Sequence, residues 1–195
     1  MWDQRYASDT YSYGTEPNDF LRYHVDRLPV GNTLCIGEGE GRNAVFLASH
    51  GHNVTALDGS KVGLAKAEAL AEQKGVHIKT IHADLANYTF ETGAWDTIVS
   101  IFCHVPQELR KQVHRQIPQA LRSGGAFILE AYTPDQLQYG TGGPPAVDMM
   151  MDLLSLKQEV TGLEFVHGTE LVREIKEGEF HNGKGAVVQT IAVKA

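Results

Sequence analysis

Apolar residues in this chain come in short runs separated by segments of helical period. Residues 33–36, 53–57, 76–82, 95–102 and 126–131 are runs of strand length with little alternation, the pattern of strands covered on both faces. Between them, residues 42–50, 60–74 and 106–117 space their apolar positions for helices. Segment 60–74 is dense in Ala, Leu, Glu and Lys, all strong helix formers. Gly75 then suits its C-terminal cap. Pro106 stands near the start of the third helix, where a missing N–H costs nothing. Upstream, Pro17-Asn18-Asp19-Phe20 opens a further helix with Phe20, Leu21, His24, Val25 and Leu28 close to helical spacing. Pro29 and Gly31-Asn32 end it.

Strands alternating with helices predict a parallel sheet with helices on both faces. The last third departs from that pattern. Residues 163–177 and 185–194 alternate more strictly and flank His181-Asn182-Gly183, and Asn-Gly between such runs predicts a hairpin turn. Met149-Met150-Met151 with Leu153 and Leu154 reads as part of a packed amphipathic helix. The expected architecture is α/β: a Rossmann-like, doubly wound sheet, mostly parallel, with an antiparallel C-terminal hairpin. One domain is expected over residues 1–195, divided into an N-terminal cap segment (1–30), a sheet core (31–132) and a lid loop, helix and hairpin (133–195).

Composition narrows the partners. The 195 residues carry a formal net charge of −7 with scattered basic residues, which argues against a nucleic-acid partner, since phosphates demand clustered Lys and Arg. No apolar stretch approaches the length of a membrane span. Cys35 and Cys103 both sit in apolar segments, as reduced core thiols do. The expectation is a soluble, cytoplasmic protein. No metal is expected, and the sequence carries no signal for an oligomeric state.

The chemistry is expected at strand ends, because an open parallel sheet binds ligands beyond its C-terminal edge. The first strand runs into Gly37-Glu38-Gly39-Glu40-Gly41. Glycines there permit a tight bend and a close approach. A phosphate cradle offers bare N–H groups at a helix N-terminus, and two carboxylates in it disfavour pyrophosphate and suit a cation. S-adenosylmethionine is such a ligand, with a sulfonium and an ammonium and no phosphate. A dinucleotide fingerprint also needs its third glycine where Arg42 stands. Asp58 lies about 20 residues beyond the first glycine, where an acid accepts from ribose hydroxyls; Asp58 or Ser60 can equally cap the next helix. Asp84 can accept from an exocyclic amine or be a solvated loop residue. His104 lies where a transferred group would sit, either as a general base or as a merely polar strand end. Cys103 reads as a packed thiol.

Taken in order, Gly37-Glu38-Gly39-Glu40-Gly41, Asp58, Asp84 and the Leu121-Arg122-Ser123-Gly124-Gly125 turn resemble the motifs of class I S-adenosylmethionine-dependent methyltransferases. Trp2-Asp3-Gln4-Arg5-Tyr6, Tyr13-Gly14-Thr15-Glu16-Pro17-Asn18, Glu130-Ala131-Tyr132-Thr133-Pro134 and Gly140-Thr141-Gly142-Gly143-Pro144 resemble a small-molecule branch that includes tellurite-resistance and thiopurine methyltransferases. The resemblance implies a cofactor site in which Gly37, Glu38, Gly39 and Gly41 face the methionine part. It places Asp58 and Gly59 at the ribose, Asp84 and Leu85 at the adenine, and Phe102 beside the methyl group. His104 and Tyr132 are the implied positioning or base residues. Trp2, Arg5, Tyr6 and Tyr13, with Tyr11 and the loop 133–147, are expected to line or close the substrate pocket.

Two departures from the family pattern matter. Cys35 replaces an acid found in many members, so that Glu38, Glu40 or a water must serve the ammonium. The motifs of nucleic-acid and glutamine amino methyltransferases and of cytosine C5 enzymes are absent. The expected function is methyl transfer from S-adenosylmethionine to a small acceptor, a thiol or a chalcogen such as tellurite. The alternative is a non-catalytic regulatory or scaffold protein that binds the same cofactor.

Overall fold

The structure, a computed structural model, describes residues 2–195. Its centre is a seven-stranded sheet in the order β3-β2-β1-β4-β5-β7-β6. The strands are β1 (Asn32–Ile36), β2 (Asn53–Asp58), β3 (Lys79–His82), β4 (Trp95–Ile101), β5 (Leu121–Tyr132), β6 (Glu164–Glu177) and β7 (His181–Val193). β1 to β5 are mutually parallel. β7 runs antiparallel to β5, and β6 antiparallel to β7. The helices are α1 (Trp2–Arg5), α2 (Asp19–His24), α3 (Arg42–Ser49), α4 (Lys61–Gln73), α5 (Gln107–Ala120) and α6 (Leu153–Glu159). Strand order reverses between β1 and β4, which opens a crevice at their C-terminal ends. Among the described residues no helix is long and apolar enough to cross a membrane.

The core explains why the central strands read as unbroken apolar runs. Leu34 and Ile36 of β1 join one buried cluster with Ile98, Phe127 and Leu129. Their neighbours Cys35, Val99 and Ile128 join another on the opposite face. Successive side chains point to opposite faces of a strand, and here both faces are covered. Helix starts carry the caps their sequences offer: Ser60 accepts from Gly63 N–H, Asn18 from Leu21 N–H and Asp152 from Ser155 N–H. Each such cap is worth about 1 kcal/mol. On the far side, Arg110 and His114 of α5 clasp Glu159 of α6 at 2.8 and 2.7 Å. Burial acts to raise that carboxyl, yet hydrogen bonds from His114 and Arg110 bring it down to about 2.

Several boundaries differ from expectation. The hairpin turns at residues 178–180, because Glu177 pairs with His181. Asn182 and Gly183 lie inside β7, opposite Lys176 and Ile175. The turn position is set by tertiary contact: Gly178 has φ +71°, and a Cβ there would come within 2.4 Å of the Ser12 carbonyl. Residues 76–78 lead into β3 rather than belonging to it. Met150 and Met151 are buried, but α6 starts only after Asp152 caps it.

Candidate active site

The bend after β1 is built from three glycines in the left-handed region, with φ +61° at Gly37, +64° at Gly39 and +93° at Gly41. A Cβ on Gly37 would overlap Cys103 Sγ at 2.5 Å, and one on Gly41 would overlap Ala67 Cβ at 2.5 Å. These two glycines thus let β4 and α4 close on the loop. Between them, Glu38 folds back onto α3, where its Oε1 accepts from Asn43 N–H at 3.0 Å and Ala44 N–H at 2.8 Å. Those first-turn donors are the groups that would hold a phosphate. The chain's own carboxylate fills that anion site. Burial pushes Glu38 up to about 7 against the pull of Ala44, Arg42 and Asn43. The Cys35 thiol is raised by burial and by contact with Glu38, so Glu38 stands beside the position of the missing family acid. Glu40 is committed elsewhere, to the Lys66 ammonium and to Ser12 N–H at 2.7 Å.

At the end of β2, Asp58 bridges two loops, accepting from Gly39 N–H and Ser60 N–H, each at 2.8 Å. Burial raises it, and those two donors oppose the shift. Each of its oxygens keeps a second lone pair. Ser60, not Asp58, caps α4. Asp58 pairs in register with His82 of β3, so Asp84 lies just beyond the same edge. Asp84 is exposed, with Oδ1 accepting from Ala86 N–H at 2.9 Å, and Leu85 packs into the core. Gly59 leaves open space, its nearest potential contact being the Ala83 carbonyl at 3.9 Å.

The ends of β4, β5 and β7 meet in an aromatic cluster. Phe102 has φ +51°, alone in positive φ among the described non-glycine residues, a conformation costing about 1–2 kcal/mol. Its N–H donates to the Glu130 carbonyl at 2.8 Å, and its ring centroid lies 4.7 Å from those of Tyr132 and His181. Tyr13 closes the group at 4.6 Å from His181, with Phe180 at 6.0 Å. Arg5 lies over the Phe180 ring at 4.4 Å and donates to Tyr13 Oη at 3.4 Å. Trp2 stacks on Tyr6 at 5.7 Å, and Tyr6 Oη would meet a Cβ on Gly39 at 2.6 Å. Gly142 and Gly143 lie on the same cluster, since a Cβ on Gly142 would come 3.0 Å from Tyr132 Oη and one on Gly143 2.9 Å from the Tyr132 ring.

The polar atoms of this cluster divide sharply. His104 uses both ring nitrogens: Nδ1–H donates to the Phe102 carbonyl at 3.1 Å, and Nε2 accepts from Tyr132 N–H at 3.0 Å. Burial and nearby His181 push it down to about 3. In this arrangement it braces β4 against β5 and offers no nitrogen to a substrate proton. Tyr132 Oη and His181 Nδ1, by contrast, are buried without a hydrogen-bond partner, which costs each about 1–3 kcal/mol. The Glu177 carboxylate stands 3.9 Å from that Nδ1, and burial holds His181 below its ordinary value although Glu177 pulls the other way.

Beneath the rings lies a charge-balanced network. Arg42 pairs with Glu177 at 2.6 Å, and Arg173 pairs with Glu130 at 2.7 Å and Glu177 at 3.1 Å. Asn18 donates to both carboxylates, at 2.5 and 2.9 Å, and Gln189 to Glu130 at 2.9 Å. Burial acts to raise Glu177, yet Arg42, His181 and Arg173 hold it well below the usual carboxylate range. The two guanidiniums are thereby spent on the chain's own carboxylates.

Residues 33–125 match the family model described as a methyltransferase domain. Those residues carry the pattern of a methyltransferase domain. Solved structures agree on the fold over the whole length. One, described with the conversion of a disulfide bond into a thioacetal group during echinomycin biosynthesis, is 16% identical with a TM-score of 0.77, covering 99% of this chain and 90% of that one. TehB from Haemophilus influenzae is 20% identical with a TM-score of 0.74, covering 100% of this chain and 66% of that one. An S-adenosylmethionine-dependent methyltransferase from Clostridium acetobutylicum is 14% identical with a TM-score of 0.69, covering 100% and 96%. Comparison with curated proteins finds no match.

Methyltransferases of this kind use S-adenosylmethionine, and the strand ends fit it. The anion site of α3 is already filled, Asp58 has lone pairs for ribose hydroxyls, and an aromatic cluster suited to a sulfonium adjoins the strained Phe102. The fold brings Gly37, Gly39, Gly41, Asp58, Gly59, Asp84, Leu85 and Phe102 to one sheet edge, with Tyr6 and Tyr13 against it. Three features escaped sequence reading: His181, because it adjoins an Asn-Gly that mimics a turn; Lys66, because it looks like a solvated helix position; and the Arg42–Arg173 network. Glu130 inside the apolar run Phe127–Ala131 was the one signal for the last.

Proposed function

We propose that this methyltransferase transfers the methyl group of S-adenosylmethionine to the sulfur, or a heavier chalcogen, of a small uncharged acceptor held by Phe102, Tyr132, His181 and Tyr13. One observation carries the reading: Tyr132 Oη and His181 Nδ1 are buried without a hydrogen bond, on rings whose centroids lie 5.3 Å apart. Such groups are stabilised by a ligand that supplies a donor and an acceptor.

The cofactor supplies an electrophilic methyl group on a sulfonium, with a neutral thioether as leaving group. Asp58 and Asp84 hold the ribose and adenine, and Glu38 faces the methionine ammonium. The protein's main contribution is to align the nucleophile and exclude water. Tyr6, Tyr13 and the Gly140–Gly143 stretch keep water out. An ordinary thiol ionises near pH 8.5, so a weak base suffices, and His181 Nδ1 takes the thiol proton as the sulfur lone pair becomes the new bond. His104 positions Tyr132 through its backbone N–H. An oxyanion such as tellurite suits the cluster less well, because Arg42 and Arg173 are already paired. The net charge of −7 likewise favours a small acceptor over a nucleic acid.

The test is a panel of thiols, selenols, tellurite, phenols and amines with methyl-labelled S-adenosylmethionine. Turnover of neutral thiols or selenols, with His181→Ala lowering kcat by about 10²-fold or more at pH 7, supports the reading. Turnover confined to tellurite or to amines would refute it.

A further inference from the structure

Lys66 sits on α4, outside the strand-end site, yet its ammonium gathers an unusual set of acceptors. It donates to the carbonyls of Thr10 at 2.7 Å, Ser8 at 2.9 Å and Tyr6 at 3.4 Å, and to the Glu40 carboxylate. Its Nζ lies over the Tyr11 ring, 4.9 Å from the centroid, and Tyr11 Oη donates to the Lys66 carbonyl at 3.1 Å. Glu40 belongs to the glycine bend and also takes Ser12 N–H. One side chain thus joins α4, the bend after β1 and the segment 6–12. That segment carries Tyr6, which is 6% exposed and rests on Gly39 and Gly63. The remaining polar ties of residues 2–14 to α4 come from Asp3, which accepts from Ser60 Oγ at 2.5 Å and Val62 N–H at 3.3 Å.

We infer that Lys66 is a positioning residue: a clasp that holds residues 2–14 closed over the glycine bend of the cofactor site and so sets how fast the adenosyl product leaves. A single ammonium bonded to carbonyls spread along residues 6–10 fixes a stretch with little regular structure of its own. An ammonium has three donors, so all of them are spent on the segment and on Glu40. Opening the cap requires these charge-assisted bonds to break together. The inference rests on the cofactor reading above, because the cap gates only what lies beneath Tyr6.

The experiment compares the parent with Lys66→Met and with the double variant Lys66→Met/Glu40→Gln, which leaves no unpaired buried carboxylate to disturb folding. Two readouts are taken: the dissociation constant and off-rate of S-adenosylhomocysteine, and cleavage after Arg5 by an arginine-specific protease. Both variants are expected to keep the far-UV spectrum of the parent, to release S-adenosylhomocysteine about tenfold faster or more, and to be cut after Arg5 correspondingly faster. The KM for S-adenosylmethionine rises while kcat changes less. Parent-like off-rates and parent-like Arg5 cleavage in both variants would overturn the clasp. If the parent itself failed to bind S-adenosylhomocysteine, the cofactor reading would fall, and the Arg5 cleavage comparison would still decide the clasp.

Discussion

Glu38→Gln isolates what the acidic bend does. The carboxyl accepts from Asn43 N–H and Ala44 N–H, and a glutamine oxygen keeps that acceptor while removing the charge. In the folded chain Glu38 titrates at about 7 against an ordinary value of 4.5. A folded value raised above the unfolded one means that its stabilising effect is complete below pH 4.5 and is lost as pH rises through about 7. The full difference corresponds to about 3 kcal/mol; solvent reaches part of the side chain, which reduces the effect to about 1–3 kcal/mol. Urea denaturation of the ligand-free protein from pH 4.5 to 8.5 should show the parent losing that much relative to Glu38→Gln, with the two alike at the acid end. At pH 8 the glutamine variant is the more stable. A ligand bearing an ammonium stabilises the ionised carboxyl, so the same substitution weakens S-adenosylmethionine binding at pH 8 while strengthening the fold. Parallel stability profiles for the two proteins would refute the assignment of Glu38 as a desolvated cap of α3. So would a variant that gained affinity for the cofactor.

Other perturbations reach the remaining parts of the site. Asp58→Ala removes acceptors for Gly39 N–H and Ser60 N–H and should weaken S-adenosylhomocysteine binding by about tenfold or more in calorimetry, with about 1–3 kcal/mol lost in stability. Gly41→Ala must place a methyl group 2.5 Å from Ala67 Cβ at φ +93°, and a urea midpoint reporting a loss of less than about 1 kcal/mol would contradict the close packing of α3 on α4. Arg173→Met leaves Glu130, 0% exposed, without its guanidinium; thermal denaturation should show about 3–5 kcal/mol lost, because an unpaired buried charge remains.

Much of this molecule is written locally. β1, β2, β4 and the helices between them are legible because each is a short apolar run or a clean helical period, and Gly37, Gly39 and Gly41 are legible because alternating glycines have few other uses. The parts that escaped depend on partners distant in sequence. Asn182-Gly183 carries a strong turn signal, yet the turn falls at Gly178, where contact with Ser12 and Tyr13 decides the position. His104 stands where a base is expected, and only the geometry reveals that Phe102 and Tyr132 consume both its nitrogens. His181 enters the cluster through the register of β7 on β5 and β6, which no local pattern encodes. Lys66 and Glu40 lie 26 residues apart, and neither announces a pairing that depends on Gly41 bringing α4 onto the bend.

The most direct test of the account is calorimetric titration of the full chain with S-adenosylhomocysteine and, separately, with NADH and NADPH. A self-supplied carboxylate on α3 leaves no room for a pyrophosphate, so S-adenosylhomocysteine should bind with roughly micromolar affinity, weakened about tenfold or more by Asp58→Ala, while both dinucleotides give no heat of binding. Saturable dinucleotide binding with no response to S-adenosylhomocysteine would contradict it.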